Sequence, residues 1–159
     1  QDADGDHGRS LSVGLHDYAN VFTGPSGYEP TMADHRFAFR FDPTYRRLAL
    51  PFGVRPSTAE VRVTDEQLDA RFGPWRVRTP LANVAGTQRT GPYTLPKTAG
   101  PAHLSLADRG ITFATNGDAG LCIGFHEPVT GIDPFRFIRH PGLTVTVADL
   151  DGLEQRLDA

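Results

Sequence analysis

Hydrophobic and polar residues alternate along three consecutive stretches of the chain between residues 57 and 84. A polar run at residues 64–67 and the Gly73-Pro74 dipeptide separate these stretches. A period of two is typical of a β-strand with one buried and one solvated face, and such breaks are typical of turns. The pattern therefore predicts three antiparallel strands, whose buried face carries Ala59, Val61, Val63, Leu68, Ala70, Phe72, Trp75 and Val77.

The same alternation predicts further strands on both sides of this meander. Upstream it covers residues 37–41 and continues through Leu48, Leu50 and Phe52. Downstream, the predicted strands are residues 102–106, 111–115, 121–126 and 143–147. Because the Asn-Gly pair at residues 116–117 favours a tight reversal, we expect the strands on either side of it to form a hairpin.

The end of the chain has the period of a helix. Leu150, Leu153 and Leu157 lie on one helical face, and Asp149 or Asp151 can cap the first turn. By contrast, residues 85–101 and 127–142 show no strand pattern and are expected to be long connections. Connections of this length in a compact domain are places to look for function.

Composition supports a mainly β domain. The 17 glycines and 13 prolines among 159 residues favour many short strands joined by turns. Residues 1–35 hold six acids (Asp2, Asp4, Asp6, Asp17, Glu29 and Asp34) against one base, Arg9. We interpret residues 1–33 as an acidic tail or docking segment and residues 34–159 as one β-rich domain.

The net charge, the single cysteine and the scarcity of lysine indicate the partners, the location and the source expected for the protein. A net charge of −3 does not favour a nucleic-acid partner, and no apolar run reaches the roughly 20 residues of a membrane span. The single cysteine, Cys122, cannot form an internal disulfide, which favours a reducing, cytoplasmic location. Lys97 is the only lysine among 16 basic residues, a bias typical of a high-GC genome such as that of an actinobacterium.

Two segments carry a resemblance to a known family. The stretch AEVRVTDEQLDARFGPWRVRTPLANV at residues 59–84 resembles the strand meander of bacterial pleckstrin-homology-like domains, and LTVTVADLDGLEQRL at residues 143–157 is similar to their last strand and helix. The resemblance extends over residues 36–157. It implies a strongly bent antiparallel sheet, a small β-barrel or two orthogonal sheets, closed by a short C-terminal helix. It also implies an interaction module with no shared catalytic residues and no cofactor.

Three motifs resemble functional loops but lack a feature that their chemistry requires. The acidic triplet at residues 2–6 lacks the Gly and Glu that complete a calcium loop. Residues 120–124 place Cys122 between two glycines like a nucleophile elbow, but no helix can follow. Residues 86–91 have the glycine spacing of a phosphate loop without its lysine. None of the three predicts a site.

Arginines recur on the predicted polar face of the meander. They are Arg62, Arg71, Arg76 and Arg78. One antiparallel sheet gathers them on its solvated side, where their guanidinium groups can bind phosphate or carboxylate. Cross-strand pairing with Glu60 and Asp69 on the same face explains them equally well. The long connections add further candidate contact residues, namely Tyr93, Arg136, Arg139 and His140.

Three functional hypotheses remain open. The first is a non-enzymatic binding module that contacts a protein or a small anionic or hydrophobic ligand through the arginines or the long connections. The second is a β-barrel that binds a small molecule between Trp75, Tyr93, Phe135 and Phe137. The third is an enzyme in which His126 forms an acid-base pair with Glu127 or His140, although we expect these histidines at the surface. No metal-ligand spacing is present among the histidines.

Overall fold

The computed structural model describes residues 33–92, 103–104, 110–133, 135 and 137–159, and within them the chain forms two β-sheets. The first, here named sheet 1, is antiparallel and consists of four strands in chain order. They are β1 (His35–Ala38), β2 (Ala59–Val63), β3 (Gln67–Phe72) and β4 (Trp75–Pro80). The meander that the alternation predicts is therefore confirmed, with its two tight turns.

The second sheet, sheet 2, has a less local order. Its strands are β5 (Val84–Thr90), β6 (His103–Leu104), β7 (Ile111–Phe113), β8 (Gly120–Val129) and β9 (His140–Val145). They lie in the order β5-β8-β9-β7-β6, and β7 and β9 form a parallel pair in an otherwise antiparallel sheet. In the part of the chain that the structure describes, the sheets do not close into a barrel. The fold is mainly β, in its two-sheet form.

One hydrophobic core joins the two sheets. The inward side chains of the meander are buried as predicted, and Trp75 is half-buried at the margin of the core. The centre is filled by Phe72 of sheet 1 and Phe113 of sheet 2, both without solvent exposure. A filled interior of this kind stabilises the fold through apolar burial and leaves the outer faces of the sheets for recognition.

The terminal helix, α2 (Leu150–Leu157), is confirmed. The Asp149 carboxylate accepts a hydrogen bond from the main-chain nitrogen of Gly152 at 2.8 Å, which satisfies one of the free donors of the first turn. Leu153 and Leu157 are buried in the core. Arg89 of β5 forms ion pairs with Asp151 and Glu154 on the outer surface of the helix and so ties α2 to sheet 2.

The prediction of a strand through Leu48, Leu50 and Phe52 is wrong. The chain there forms a helix, α1 (Pro43–Ala49), followed by a 3-10 turn at Leu50–Phe52. Asp42 caps α1 by accepting from the main-chain nitrogen of Thr44 at 2.8 Å, and proline is favoured in the first turn. The buried pair is Tyr45 and Ala49, which lie four residues apart on one helical face. The three alternating apolar residues are instead exposed.

The predicted hairpin across Asn116-Gly117 is also wrong. Both strands exist, but β9 lies between β7 and β8, so they are not neighbours. Asn116 is buried, and its side-chain nitrogen donates to the main-chain oxygens of Arg40 at 2.9 Å and Thr146 at 3.4 Å. These hydrogen bonds hold the segment against two parts of the chain that are distant in sequence. A tight reversal would instead have paired β7 with β8.

Both long connections are shorter than expected. Residues 84–90 belong to β5, residues 127–129 extend β8, and β9 begins at His140. The side chains of β5 are half-buried or exposed along its whole length, and a register shift separates Val84 from Gly86. An edge strand that buries little apolar surface leaves no clear alternation in the sequence. The rest of the first connection, residues 93–101, lies outside the described residues.

Candidate functional site

Sheet 1 carries two rows of charged residues on its solvated face, here named the arginine face. Residues paired across neighbouring antiparallel strands lie on the same side of a sheet, within reach of each other's side chains. The first row is Arg36, Arg62, Asp69 and Arg78 across β1 to β4. The second row is Glu60, Arg71 and Arg76 across β2 to β4. Five arginines and two acids therefore share this face, and the four predicted arginines are all among them.

Asp69 organises one side of the arginine face. Its carboxylate accepts from Arg76 Nε at 2.8 Å and from Arg78 Nη2 at 2.9 Å, and only 12% of its side chain is exposed. Burial by itself raises the pKa of Asp69, but the hydrogen bonds from Arg76 and Arg78 outweigh it, so that the pKa lies below its ordinary 3.8. Asp69 thus stays ionised and fixes the direction of both guanidinium groups.

Asp34 has the same effect at the other edge of the sheet. Its carboxylate accepts from Arg62 Nη2 at 2.7 Å and from Arg36 Nη2 at 3.3 Å. The hydrogen bond from Arg62, reinforced by Arg36, holds the pKa of Asp34 below its ordinary value in spite of partial desolvation. The arginines of this edge are therefore compensated by a residue that lies just before β1. The sequence reasoning missed Asp34 because it precedes the first clear strand pattern.

Arg71 differs from the other four arginines. It lies directly opposite Arg76 in the β3–β4 register, and it forms no ion pair with any described residue. Its other cross-strand neighbour is Glu60, which is half-buried and makes no ion pair with Arg71 in this part of the chain. Like charges directly opposite each other destabilise a sheet. The register therefore places two guanidinium groups side by side, and Arg71 is the one that has no ion pair with a described residue.

A shallow depression of about 120 Å³ lies in the middle of the arginine face. Its walls are Glu60, Arg62, Asp69, Arg71 and Arg76. A space of this size admits one small oxyanion or the head of one acidic side chain. Guanidinium groups on several sides can donate paired hydrogen bonds to such an oxyanion, while Asp69 and Glu60 limit the net charge.

A second, larger depression of about 380 Å³ lies beside the β3–β4 turn. It is lined by Pro74, Trp75, Arg76, Thr130, Gly131, Ile132 and Asp133. Arg76 belongs to both depressions, so the arginine face continues into a surface that also contains an aromatic ring. Trp75 is thus both a margin of the core, as expected from its place in the meander, and part of an exposed wall.

Of the other predicted contact residues, Arg139 and His140 do not join the arginine face. Arg139 is exposed on the segment that leads into β9, and His140 is fully buried, paired with Val129 in β8. A buried His140 cannot contact a partner, which corrects both its inclusion as a binding residue and the expectation of a surface histidine. It is buried because β9 runs through the centre of sheet 2, between β8 and β7. Tyr93 and Arg136 lie outside the described residues.

The three incomplete loop motifs and the proposed histidine pair have no structural support as functional sites. Residues 120–124 lie inside β8, so Cys122 is a half-buried thiol on a strand with no strand-to-helix turn. Residues 86–90 lie in β5. His126 and Glu127 are exposed while His140 is buried, so the histidine pair does not share a cleft. The acidic triplet at residues 2–6 lies outside the described residues.

Within the described ranges, no group of three or more His, Cys, Asp or Glu side chains is placed to hold a metal ion. No helix in the same part of the chain is long and apolar enough to cross a membrane.

Comparison with known proteins identifies no relative. No protein-family model, no curated protein and no solved structure matches this chain. The resemblance to pleckstrin-homology-like domains therefore stays a prediction, and function has to be argued from the surface of the domain itself.

Proposed function

We propose that this protein is a non-enzymatic binding module that recognises an oxyanion, a phosphate or carboxylate group of its partner, on the arginine face of sheet 1. The observation that carries the proposal is Arg71, which lies opposite Arg76 and has no ion pair among the described residues. An oxyanion between the two guanidinium groups would relieve their repulsion and accept hydrogen bonds from both.

The acids of the face prepare this site and do not block it. Asp69 holds Arg76 and Arg78 in position, and Asp34 holds Arg62. Arginines that are fixed before binding lose less side-chain entropy when a ligand arrives. Arg71 is left as the guanidinium that is available to the ligand. We therefore expect the module to bind a compact oxyanion with higher affinity than a ligand whose negative charge is widely spread.

The filled interior favours an interaction module over a small-molecule barrel. Phe72 and Phe113 occupy the place where a barrel would hold its ligand, and the second hypothesis needs an enclosed cavity there. The proposed architecture is pleckstrin-homology-like, which the four-strand meander and the terminal helix support. The parallel pairing of β7 and β9 departs from the all-antiparallel sheets which that resemblance implies.

The proposal is tested by calorimetric titration of the protein with inorganic pyrophosphate and, separately, with a pentaglutamate peptide. We expect binding of at least one probe at about 0.15 M ionic strength. Arg71→Gln should weaken that binding by about ten- to a hundredfold, since a hydrogen bond to a charged group contributes about 1.5–3 kcal/mol. Arg71→Lys should give an intermediate affinity because it keeps the charge but loses the planar fork.

The matched control is Arg55→Gln, which removes the same charge from an exposed arginine outside sheet 1. We expect its affinity to stay within about threefold of the native protein, because exposed charges separated by more than a Debye length of about 8 Å are largely screened. Equal weakening by Arg55→Gln and Arg71→Gln, or no binding of either probe, would contradict the proposal.

A further inference from the structure

Two segments outside the arginine face expose large apolar side chains. Phe135 and Phe137, between β8 and β9, are 76% and 85% exposed. In the 3-10 turn after α1, Leu50 and Phe52 are 50% and 44% exposed. Single exposed apolar residues are ordinary, but four large ones in two short segments require an explanation.

The exposure of the phenylalanines is part of how their loop is built. The Asp133 carboxylate accepts hydrogen bonds from the main-chain nitrogens of Phe137 and Ile138, the second at 3.2 Å. The rings of Phe135 and Phe137 stack on each other with their centres 6.2 Å apart. The Asp133 hydrogen bonds thus close the turn and present both rings outward.

Both apolar segments adjoin the same β3–β4 turn. A Cβ atom on Gly73 would lie 2.9 Å from Val54 Cγ2 and 3.2 Å from the carbonyl of Gly53, so the backbone that follows Phe52 is in close contact with this turn. Pro74 and Trp75 of the same turn line the larger depression together with Thr130–Asp133, the start of the phenylalanine loop. The two segments therefore border one region of the surface, here named the apolar end.

Among the described residues, the charged side chains near the apolar end are mostly arginines. Residues 43–58 contain three arginines and no acid, and Arg46 and Arg47 are exposed beside the 3-10 turn. Arg139 is exposed next to Ile138, and Arg76 borders the larger depression. The acid of the phenylalanine loop, Asp133, is engaged by main-chain nitrogens of its own loop. Arg76 is paired with Asp69, but Arg46, Arg47 and Arg139 form no ion pair with any described residue, so they add positive charge beside the exposed apolar side chains.

We propose that the apolar end docks on the surface of an anionic lipid bilayer. Phenylalanine and leucine side chains enter the boundary between headgroups and acyl chains, while arginines beside them contact the lipid phosphates. The charge argues against a second copy of this chain as the occupant, because two positive surfaces repel. It also favours a negatively charged layer over a neutral protein groove. The apolar end adjoins the arginine face at Arg76 but does not include Arg71, so this docking does not depend on oxyanion binding at Arg71.

The test is co-sedimentation with vesicles of phosphatidylcholine alone and of phosphatidylcholine with phosphatidylserine. We expect binding to the anionic vesicles that weakens as salt is raised, and little binding to the neutral ones. Trp75, the only tryptophan, lines the depression at the apolar end, so its fluorescence emission should shift to shorter wavelength on docking.

Two variants separate the apolar and ionic contributions. Phe135→Ser combined with Phe137→Ser should lower the fraction bound at least tenfold, and Arg139→Gln should lower it severalfold. Arg89→Gln is the matched control, because it removes an arginine from β5, outside both the arginine face and the apolar end, and should leave vesicle binding unchanged. Thermal unfolding checks that each variant folds, which is expected because both phenylalanines are exposed.

Two results would overturn the proposal. One is the absence of sedimentation with anionic vesicles at low salt, which would assign the apolar end to a protein partner. The other is vesicle binding that Arg89→Gln reduces as much as Arg139→Gln while the double phenylalanine variant binds normally. That result would show adsorption by general positive charge without insertion.

Discussion

The ring of Phe72 in β3 lies parallel to the ring of Phe113 in β7, with the ring centres 5.0 Å apart and 3° between their planes. The two residues belong to different sheets, and neither is exposed to solvent. Phe39 also packs against Phe72, with the two ring centres 5.3 Å apart. Through this aromatic cluster the two sheets pack against each other.

Removing one ring of this pair should therefore destabilise the whole domain. We expect Phe113→Ala to lower the free energy of unfolding by about 3–5 kcal/mol, the range for a buried phenylalanine, as measured by urea denaturation. The matched control is Phe137→Ala, the same change at a side chain that is 85% exposed, which should cost less than about 0.5 kcal/mol. A Phe113→Ala cost as small as that of the control would mean that the sheets fold independently of this contact.

The parts of the fold that were predictable are those set by neighbouring residues. The meander from Ala59 to Pro80 needs only alternation and two short turns, and α2 needs only a cap and a leucine spacing. The arginine face followed directly, because hairpin register places alternate residues of neighbouring strands on one side. The ion pairs of the arginine face could not be predicted in the same way, because the role of Asp34 depends on a contact with Arg62, 28 positions away in the sequence.

The errors arose where distant contacts override a local pattern. Leu48, Leu50 and Phe52 alternate like a strand, but Asp42 and Pro43 begin a helix in which other residues are buried. The order of sheet 2 depends on β9, which is inserted between β7 and β8 although it follows both in sequence. Phe135 and Phe137 were expected to line a cavity, and they are exposed because Asp133 closes their loop outward.

Asn116 should contribute more to the stability of the domain than its place in a predicted turn suggests. Its amide donates to two main-chain oxygens, and its side-chain oxygen accepts from the main-chain nitrogen of Asp118 at 3.1 Å. We expect Asn116→Ala to lower the free energy of unfolding by about 1–3 kcal/mol, because it removes two hydrogen bonds to main-chain oxygens, each of which keeps one other donor. Urea denaturation at neutral pH measures this cost.

Asn116→Asp provides the comparison that identifies the cause. The carboxylate has nearly the same size and can still accept from Asp118, but it cannot donate to the carbonyl of Arg40. It should therefore destabilise the domain at least as much as Asn116→Ala. If the aspartate variant were clearly the more stable of the two, the volume of the side chain would be the important property, and the hydrogen bonds to the carbonyls would not.

Asp69 makes the stability of sheet 1 depend on pH. Because the pKa of Asp69 lies below 3.8 in the folded protein, its ionised form stabilises the fold at all pH values above the pKa of the unfolded chain. This contribution is lost as the pH falls through the folded-state pKa. Asp69→Asn should lower the free energy of unfolding at pH 7 by about 1–2 kcal/mol, since it removes the charge that Arg76 and Arg78 share.

The diagnostic quantity is the difference in the free energy of unfolding between the native protein and Asp69→Asn. Urea denaturation measures it at a series of pH values from 7 downward. We expect that difference to stay constant to about pH 5 and to narrow below pH 3.8, the ordinary pKa of aspartate. Glu66→Gln, a change at an exposed acid with no ion pair among the described residues, serves as control and should cost less than about 0.5 kcal/mol at pH 7. A difference that persisted unchanged at the lowest pH would show that the carboxylate acts through its shape. Asp69 would then lose its assigned role of holding the arginines by charge.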